Sequence, residues 1–119
     1  MTTKQAATVH TALACGCGAR KKARKALAVD PEIKSSNLKR LRRIEGQVRG
    51  LQRLVEEDRY CADILMQISS VQEALRSVGR ALMRNHLRHC AAKAIRDTAP
   101  GRADAMYEEL LNLMDMQSR

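Results

Sequence analysis

Three side chains have the types and spacing of a soft-metal site: Cys61, His86 and Cys90. His86 and Cys90 stand four residues apart, so on a helix they project from one face and can reach one ion. Cys61 precedes His86 by 25 residues, about 37 Å along one straight helix. If one helix carries all three, they cannot share an ion within one chain. Two copies of that helix packed antiparallel would set Cys61 of one beside His86 and Cys90 of the other, giving two equivalent sites at an interface. Two thiolates and an imidazole form a soft set. Soft donors at low coordination number favour Cu(I), whereas Zn(II) ordinarily takes a fourth ligand. A single H-x3-C is a weak signal, and by spacing alone two buried cysteines and a surface histidine remain an equal reading. His89 is turned about 100° from Cys90 and is expected to be solvated. Cys15-Gly16-Cys17 offers another pair of soft donors; a tail thiol pair with no role fits the same residues.

The elements that must position these residues are helices. Leu38, Leu41, Ile44, Val48, Leu51, Leu54 and Val55 recur at spacings of three and four, the mark of one helical face. Ser35, Ser36 and Asn37 are the expected N-caps of this first helix, and the polar run Glu56-Glu57-Asp58-Arg59 is expected to end it. Gly46 and Gly50 each cost helix propensity, so close packing against a neighbouring helix is expected there. Ile64, Ile68, Val71, Leu75, Val78 and Leu82 form a 4-3-4-3-4 seam suited to a bundle, and the pattern runs on to Ile95 without a proline. A rod near 30 residues would be about 45 Å long. Asp97 to Gly101 should stop it. A third helix fits Ala103 to Met116, with Met106, Leu110, Leu113 and Met114 on one face. No segment has strand period, so the expected fold is all-α, a three-helix protomer.

The whole composition agrees with that plan. The 119 residues suffice for one domain, with residues 1–33 reading as a basic tail and 34–119 as the helical unit. Two Tyr are the only aromatics, which argues against readers that stack bases on aromatic platforms. A core of small aliphatics in a short chain also points to an oligomer. No apolar run approaches the roughly 20 residues of a membrane span, so a cytoplasmic protein is expected, its four Cys being thiols or metal ligands. The formal charge of +9 makes a polyanion the default partner. Between Arg20 and Arg43 there are ten Lys or Arg against two Asp or Glu. No helix-turn-helix, zinc finger or basic zipper is present. Arg40, Arg42, Arg43 and Arg49, with Arg76 and Arg80 of the second helix, form the expected phosphate-contacting face for double-stranded DNA. A solvated helix flank is the ordinary reading of any one of them.

A stretch of about residues 36–96, with a weaker match to 114, resembles the copper-sensitive operon repressor (CsoR) family. The resemblance is carried by Leu38-Lys39-Arg40-Leu41-Arg42-Arg43-Ile44-Glu45-Gly46-Gln47, Tyr60-Cys61, Gln67-Ile68-Ser69, Val71-Gln72, and Asn85-His86-Leu87 with Cys90. It implies an antiparallel helical homodimer, usually paired into a tetramer. It implies one Cu(I) per protomer, bound by Cys61 of one chain and His86 and Cys90 of the other, with repression released when copper binds. By the same resemblance Tyr60 and Glu109 would hydrogen-bond, directly or through a relay, to the imidazole nitrogen not on the metal, and Arg40 falls at a position implicated in DNA binding. Relatives sensing other signals lack the full Cys/His/Cys set. The N-terminal extension with its C-x-C lies outside the family's common core.

Two other functions compete with a copper-responsive repressor. A copper buffer or chaperone would use the soft site and the C-x-C for delivery, but has no need of the first-helix arginines. A DNA-compacting protein would bind duplex regardless of copper. No nucleophile–base–orienter set, phosphate loop or paired carboxylates points to an enzyme.

Overall fold

The structure is a computed structural model that describes residues 23–119. Cys15, Cys17 and Arg20 to Lys22 lie outside the described residues. An extended strap leads into α1 (Pro31–Glu56), which is followed by α2 (Cys61–His86). A π-helical turn, Leu87–Ala91, carries α2 without a break into the short α3 (Ala92–Arg96), and α4 (Arg102–Ser118) folds back against that end. Among the described residues there is no strand, and three helical arms make up the all-α fold.

The first helix starts earlier than the Ser35-Ser36-Asn37 run suggests. Asp30 is the extended residue before it and Pro31 occupies its first turn, where a missing N–H costs nothing and the fixed φ is already helical. Glu32 adds an acid beside the positive helix end. Ser35 and Ser36 are thus exposed interior positions. Asn37 is 5% exposed with neither amide atom bonded, a burial that costs about 1–3 kcal/mol. The other end stops where the polar run predicts. Asp58 takes φ 52°, its N–H donates to Val55 O and the Arg59 N–H donates to Leu54 O, a Schellman cap built on Asp rather than Gly.

α1 and α2 form an antiparallel hairpin. Ile44, Val71 and Val78 are buried between them, with Leu51 and Ala74 packed alongside. Arg40 donates to Ser77 Oγ at 2.9 Å, fixing the register. The predicted seam of α2 is divided between two faces. Val71 and Val78 point into the hairpin, while Leu75 and Leu82 stay about half exposed. On α1 the heptad line Leu41, Val48 and Val55 is likewise exposed. Full burial of such a side chain contributes roughly 1.5–3 kcal/mol, and about half of that is still unrealised at each, so the protomer leaves much of its apolar surface unused. The expected close packing at Gly46 and Gly50 is not made within the protomer: a Cβ at either would meet nothing within 4 Å. The tight approach is at Gly79, where a Cβ would lie 2.7 Å from Gln117 Oε1 of α4. Ala91 and Ala94 are buried where α4 folds back, because only small side chains let helices come that close.

Candidate metal centre

His86 closes α2 and Cys90 sits in the π-helical turn that follows. Such single turns within α-helices are frequent at functional sites. Both side chains open into a cavity of about 410 Å3, walled by residues 24–27 of the strap and by Met106 and Glu109 of α4. Cys90 is a free, half-buried thiol. His86 Nε2 lies 3.6 Å from Glu109 Oε2 and has no hydrogen-bond partner. That separation is too long for a hydrogen bond, but it aims the carboxylate at this ring nitrogen. The other nitrogen, Nδ1, is then the one left to an incoming ligand.

Cys61 is the first residue of α2 and is exposed. It lies 25 residues, about 37 Å, from His86 along the same helix. Among the described residues of one chain, no three His, Cys, Asp or Glu gather where they could hold an ion. Tyr60 accompanies Cys61, is 74% exposed, and is remote from His86 and Glu109 in its own chain. The structure therefore brings His86, Cys90 and Glu109 together and leaves Tyr60 and Cys61 at the far end of the rod.

A clamp around this turn was not legible in the sequence. Asn85, 6% exposed, accepts from the Asp30 N–H at 2.9 Å and donates to Ala28 O at 3.0 Å. The Asp30 carboxylate meets His89 Nε2 at 3.0 Å and the Arg88 guanidinium at 3.3 Å. The expectation that His89 is solvated is thus corrected. It packs onto the strap, with 29% of its side chain exposed. The His89 hydrogen bond holds the Asp30 carboxyl below its ordinary value of 3.8, and Arg88 adds to this against the opposing effect of desolvation. The available signal was Asp30-Pro31, a helix-starting pair that frees a carboxylate to bond elsewhere.

The predicted arginines fall into two kinds. Arg40 is spent partly on Ser77, which places it beside the turn carrying Arg76 and Arg80. Those two share Glu73 at 3.3 and 3.4 Å, and Arg49 pairs with Glu45 at 3.7 Å. Arg42 and Arg43 are exposed, and Arg43 lines a surface groove with Lys39 and Arg40. The ion pairs are exposed, so they contribute little and yield readily to a stronger anion.

Among the described residues, the helices present an arginine-bearing hairpin and a cavity lined by His86, Cys90 and Glu109. A family model described as "metal-sensitive transcriptional repressor" matches residues 33–116, and the chain belongs to that family. It is 54% identical over 76 residues to the copper-sensing transcriptional repressor RicR of Mycobacterium tuberculosis, covering 64% of this chain and 78% of that one. It is 51% identical over 74 residues to the copper-sensing transcriptional repressor CsoR of Bacillus subtilis, covering 62% and 70%. The crystal structure of the copper-sensing repressor CsoR with Cu(I) from Geobacillus thermodenitrificans is similar with a TM-score of 0.66 at 45% identity, covering 78% of this chain and 94% of that one.

Proposed function

We propose that this protein is a Cu(I)-responsive transcriptional repressor of the cytoplasm that binds double-stranded operator DNA in its apo form and lets go when Cu(I) binds. The ion is held by Cys61 of one chain and by His86 and Cys90 of a second copy, in an antiparallel homodimer that pairs into a tetramer. One observation carries this reading. His86 and Cys90 share a cavity with an open donor position, while the third soft donor stands exposed at the opposite end of the same rod. The donor set fits: two thiolates and an imidazole Nδ1 suit a soft cation of low coordination number. The exposed lines Leu41, Val48, Val55 and Leu75, Leu82 are the surface a second hairpin would cover. Relatives named as copper-sensing repressors support the choice of metal.

In this arrangement Glu109 orients His86 through Nε2, and Tyr60 of the second copy arrives with Cys61 beside the same ring. Arg40, Arg42, Arg43, Arg49, Arg76 and Arg80 contact phosphates. A bound Cu(I) supplies the bonds that join two rods at their ends. Gathering Cys61, His86 and Cys90 changes how the hairpins sit on one another, and with them the arginine faces. Arg40 couples the faces directly, because it already spans α1 and α2. By linkage, operator DNA must weaken Cu(I) binding by the factor by which Cu(I) weakens operator binding. A buffer or chaperone needs no such face, which is why the repressor is preferred.

The test is an anaerobic Cu(I) titration into the operator-bound protein, followed by fluorescence anisotropy. Release should be complete near one Cu(I) per protomer, and Zn(II) should not reproduce it. Equal Cu(I) affinity with and without operator, or release by a Cys61→Ala variant that takes up no Cu(I), would sink the reading.

A further inference from the structure

The cavity at the His86 end holds one soft donor for which the site just proposed has no use, the thioether of Met106. We propose that His86, Cys90 and Met106 of a single chain form a capture site for Cu(I), from which the second copy's Cys61 takes the ion by displacing the thioether. The inference rests on the reading of Cys61, His86 and Cys90 as the sensing site.

The first argument is placement. Arg102, Met106 and Glu109 of α4 are spaced four and three residues apart, so they share one helical face, and that face borders the cavity. Met106 is half-buried and lines the space of about 410 Å3 together with His86 and Cys90. It also lines a second cavity of about 320 Å3 with Arg102, Ala105 and Glu109. The ordinary work of a methionine in a protein interior is to fill an irregular gap, because its chain is unbranched and pliable. Here the space beside it stays open, and the strap's Leu27, on the same cavity, is 60% exposed rather than filling it. A methionine that borders two openings and closes neither is free to meet a ligand. Its rotatable bonds let the sulfur follow an ion held by His86 and Cys90.

The second argument is chemical. Thioether, thiolate and imidazole are all soft enough for Cu(I), and three of them match its low coordination number. By simple addition of charges, Cu(I) on the Cys90 thiolate and two neutral donors carries no net charge. A neutral complex suits a half-closed cavity, where an uncompensated charge is costly. A dication on the same donors would keep a positive charge beside Arg24, Lys25 and Arg102, which line the same walls. The capture set thus favours Cu(I) over Zn(II). The hand-over is a ligand exchange with no electron transferred. The bond from copper to Met106 Sδ breaks, a bond to Cys61 Sγ forms, and the Cys61 thiol proton leaves to solvent. Met106 departs as the neutral thioether it was. A captured ion touches one chain only, so it does not join two rods, and DNA release waits for Cys61.

The experiment uses the full chain, anaerobically, with Cu(I) supplied as its complex with a chromophoric chelator. Cys61→Ser should still take up one Cu(I) per chain, more weakly than wild type, and should stay on operator DNA when loaded. In selenomethionine-labelled Cys61→Ser, X-ray absorption at the copper edge should show a selenium neighbour. Adding Met106→Leu, a volume-conserving swap of the kind cores tolerate, should remove that neighbour. It should also weaken uptake by more than about tenfold, the low end even for outer-shell changes. In an otherwise wild-type chain, Met106→Leu should slow stopped-flow loading and leave the final affinity unchanged. No uptake by Cys61→Ser, no selenium neighbour there, or equal uptake after Met106→Leu overturns the capture site and leaves the sensing site standing. If Cys61→Ser binds as tightly as wild type and labelled wild type keeps the selenium neighbour, Cys61 is no ligand, and both readings fall.

Discussion

The two ends of the α2–α3 rod differ in how much is built around them. At the His86 end, the strap, the π-helical turn and α4 converge: Asn85 is buried and doubly bonded, Asp30 grips Arg88 and His89, and Glu109 faces the imidazole. At the Cys61 end, Tyr60 and Cys61 follow a tight cap and are exposed. One end is organised within the single protomer; the other, on the proposed reading, is a donor delivered from a second copy. If the proposed site is right, the difference teaches that its ordering cost is met mostly in folding one protomer. What the proposal then leaves for binding is a single thiolate brought in from the second copy.

The sharpest way to break this comparison is to disable opposite ends in separate chains. Cys61→Ala and His86→Ala/Cys90→Ala homomers should each lose Cu(I) affinity by more than the roughly 100-fold that marks the upper range for outer-shell changes. Mixed after unfolding and refolding together, they should regain about a quarter of wild-type sites, because half the dimers are hybrids and each hybrid has one intact site of two under two-fold symmetry. No recovery would mean that the two ends do not meet across an interface. Next in size is Glu109→Gln, which leaves the fold but removes the charge facing Nε2, and should weaken Cu(I) binding by about 10–100-fold. Tyr60→Phe is its counterpart at the bare end. Isolated in one chain it touches nothing of the site, so a measurable loss in a chelator competition requires a second copy to bring it there.

How legible all this was in the residues depends on what each feature's signal is. The helices and their apolar faces were readable because period is a local property, and the end of α1 was readable because Glu56 to Arg59 cannot continue an apolar face. The start of α1 was misplaced because three good capping residues, Ser35 to Asn37, drew attention from a Pro that fits the first turn better. The single seam on α2 proved to be two half-seams, Val71 with Val78 and Leu75 with Leu82, since a heptad pattern does not say which partner covers which residue. The π-helical turn leaves no mark in hydropathy: it changes hydrogen bonding between His86 and Cys90 without changing which residues are apolar. His89 was misjudged for a similar reason. Its partner Asp30 lies 59 residues away, and such a contact is a product of the hairpin rather than of local spacing.

Asn85→Ala tests whether the organised end owes its order to the strap. The substitution removes two hydrogen bonds and leaves the Ala28 carbonyl and the Asp30 N–H to find water. A loss of about 1–3 kcal/mol in chemical denaturation is expected, without change in the donor set itself. Cu(I) affinity should fall along with stability, since residues 24–27 would no longer be held against the cavity.

The smallest effect is the one that Asp30 governs through pH. Its carboxyl is held below 3.8 in the folded chain, chiefly by His89. A group whose folded value is depressed stabilises the fold fully above its unfolded value and loses that contribution as pH falls through the folded one. The clamp should therefore be at full strength at neutral pH and weaken only in acid below about 3.8. Asp30→Asn keeps the N–H that Asn85 receives but discards the charge that Arg88 and His89 share. It should cost less stability than Asn85→Ala at neutral pH, and the gap between Asp30→Asn and wild type should close as the pH is lowered through the Asp30 titration. Melting temperatures of the two proteins across that range are the measurement. A gap that stays constant into acid would assign the strap's hold to the Asn85 amide alone and leave the Asp30 carboxylate without a part in organising this end of the rod.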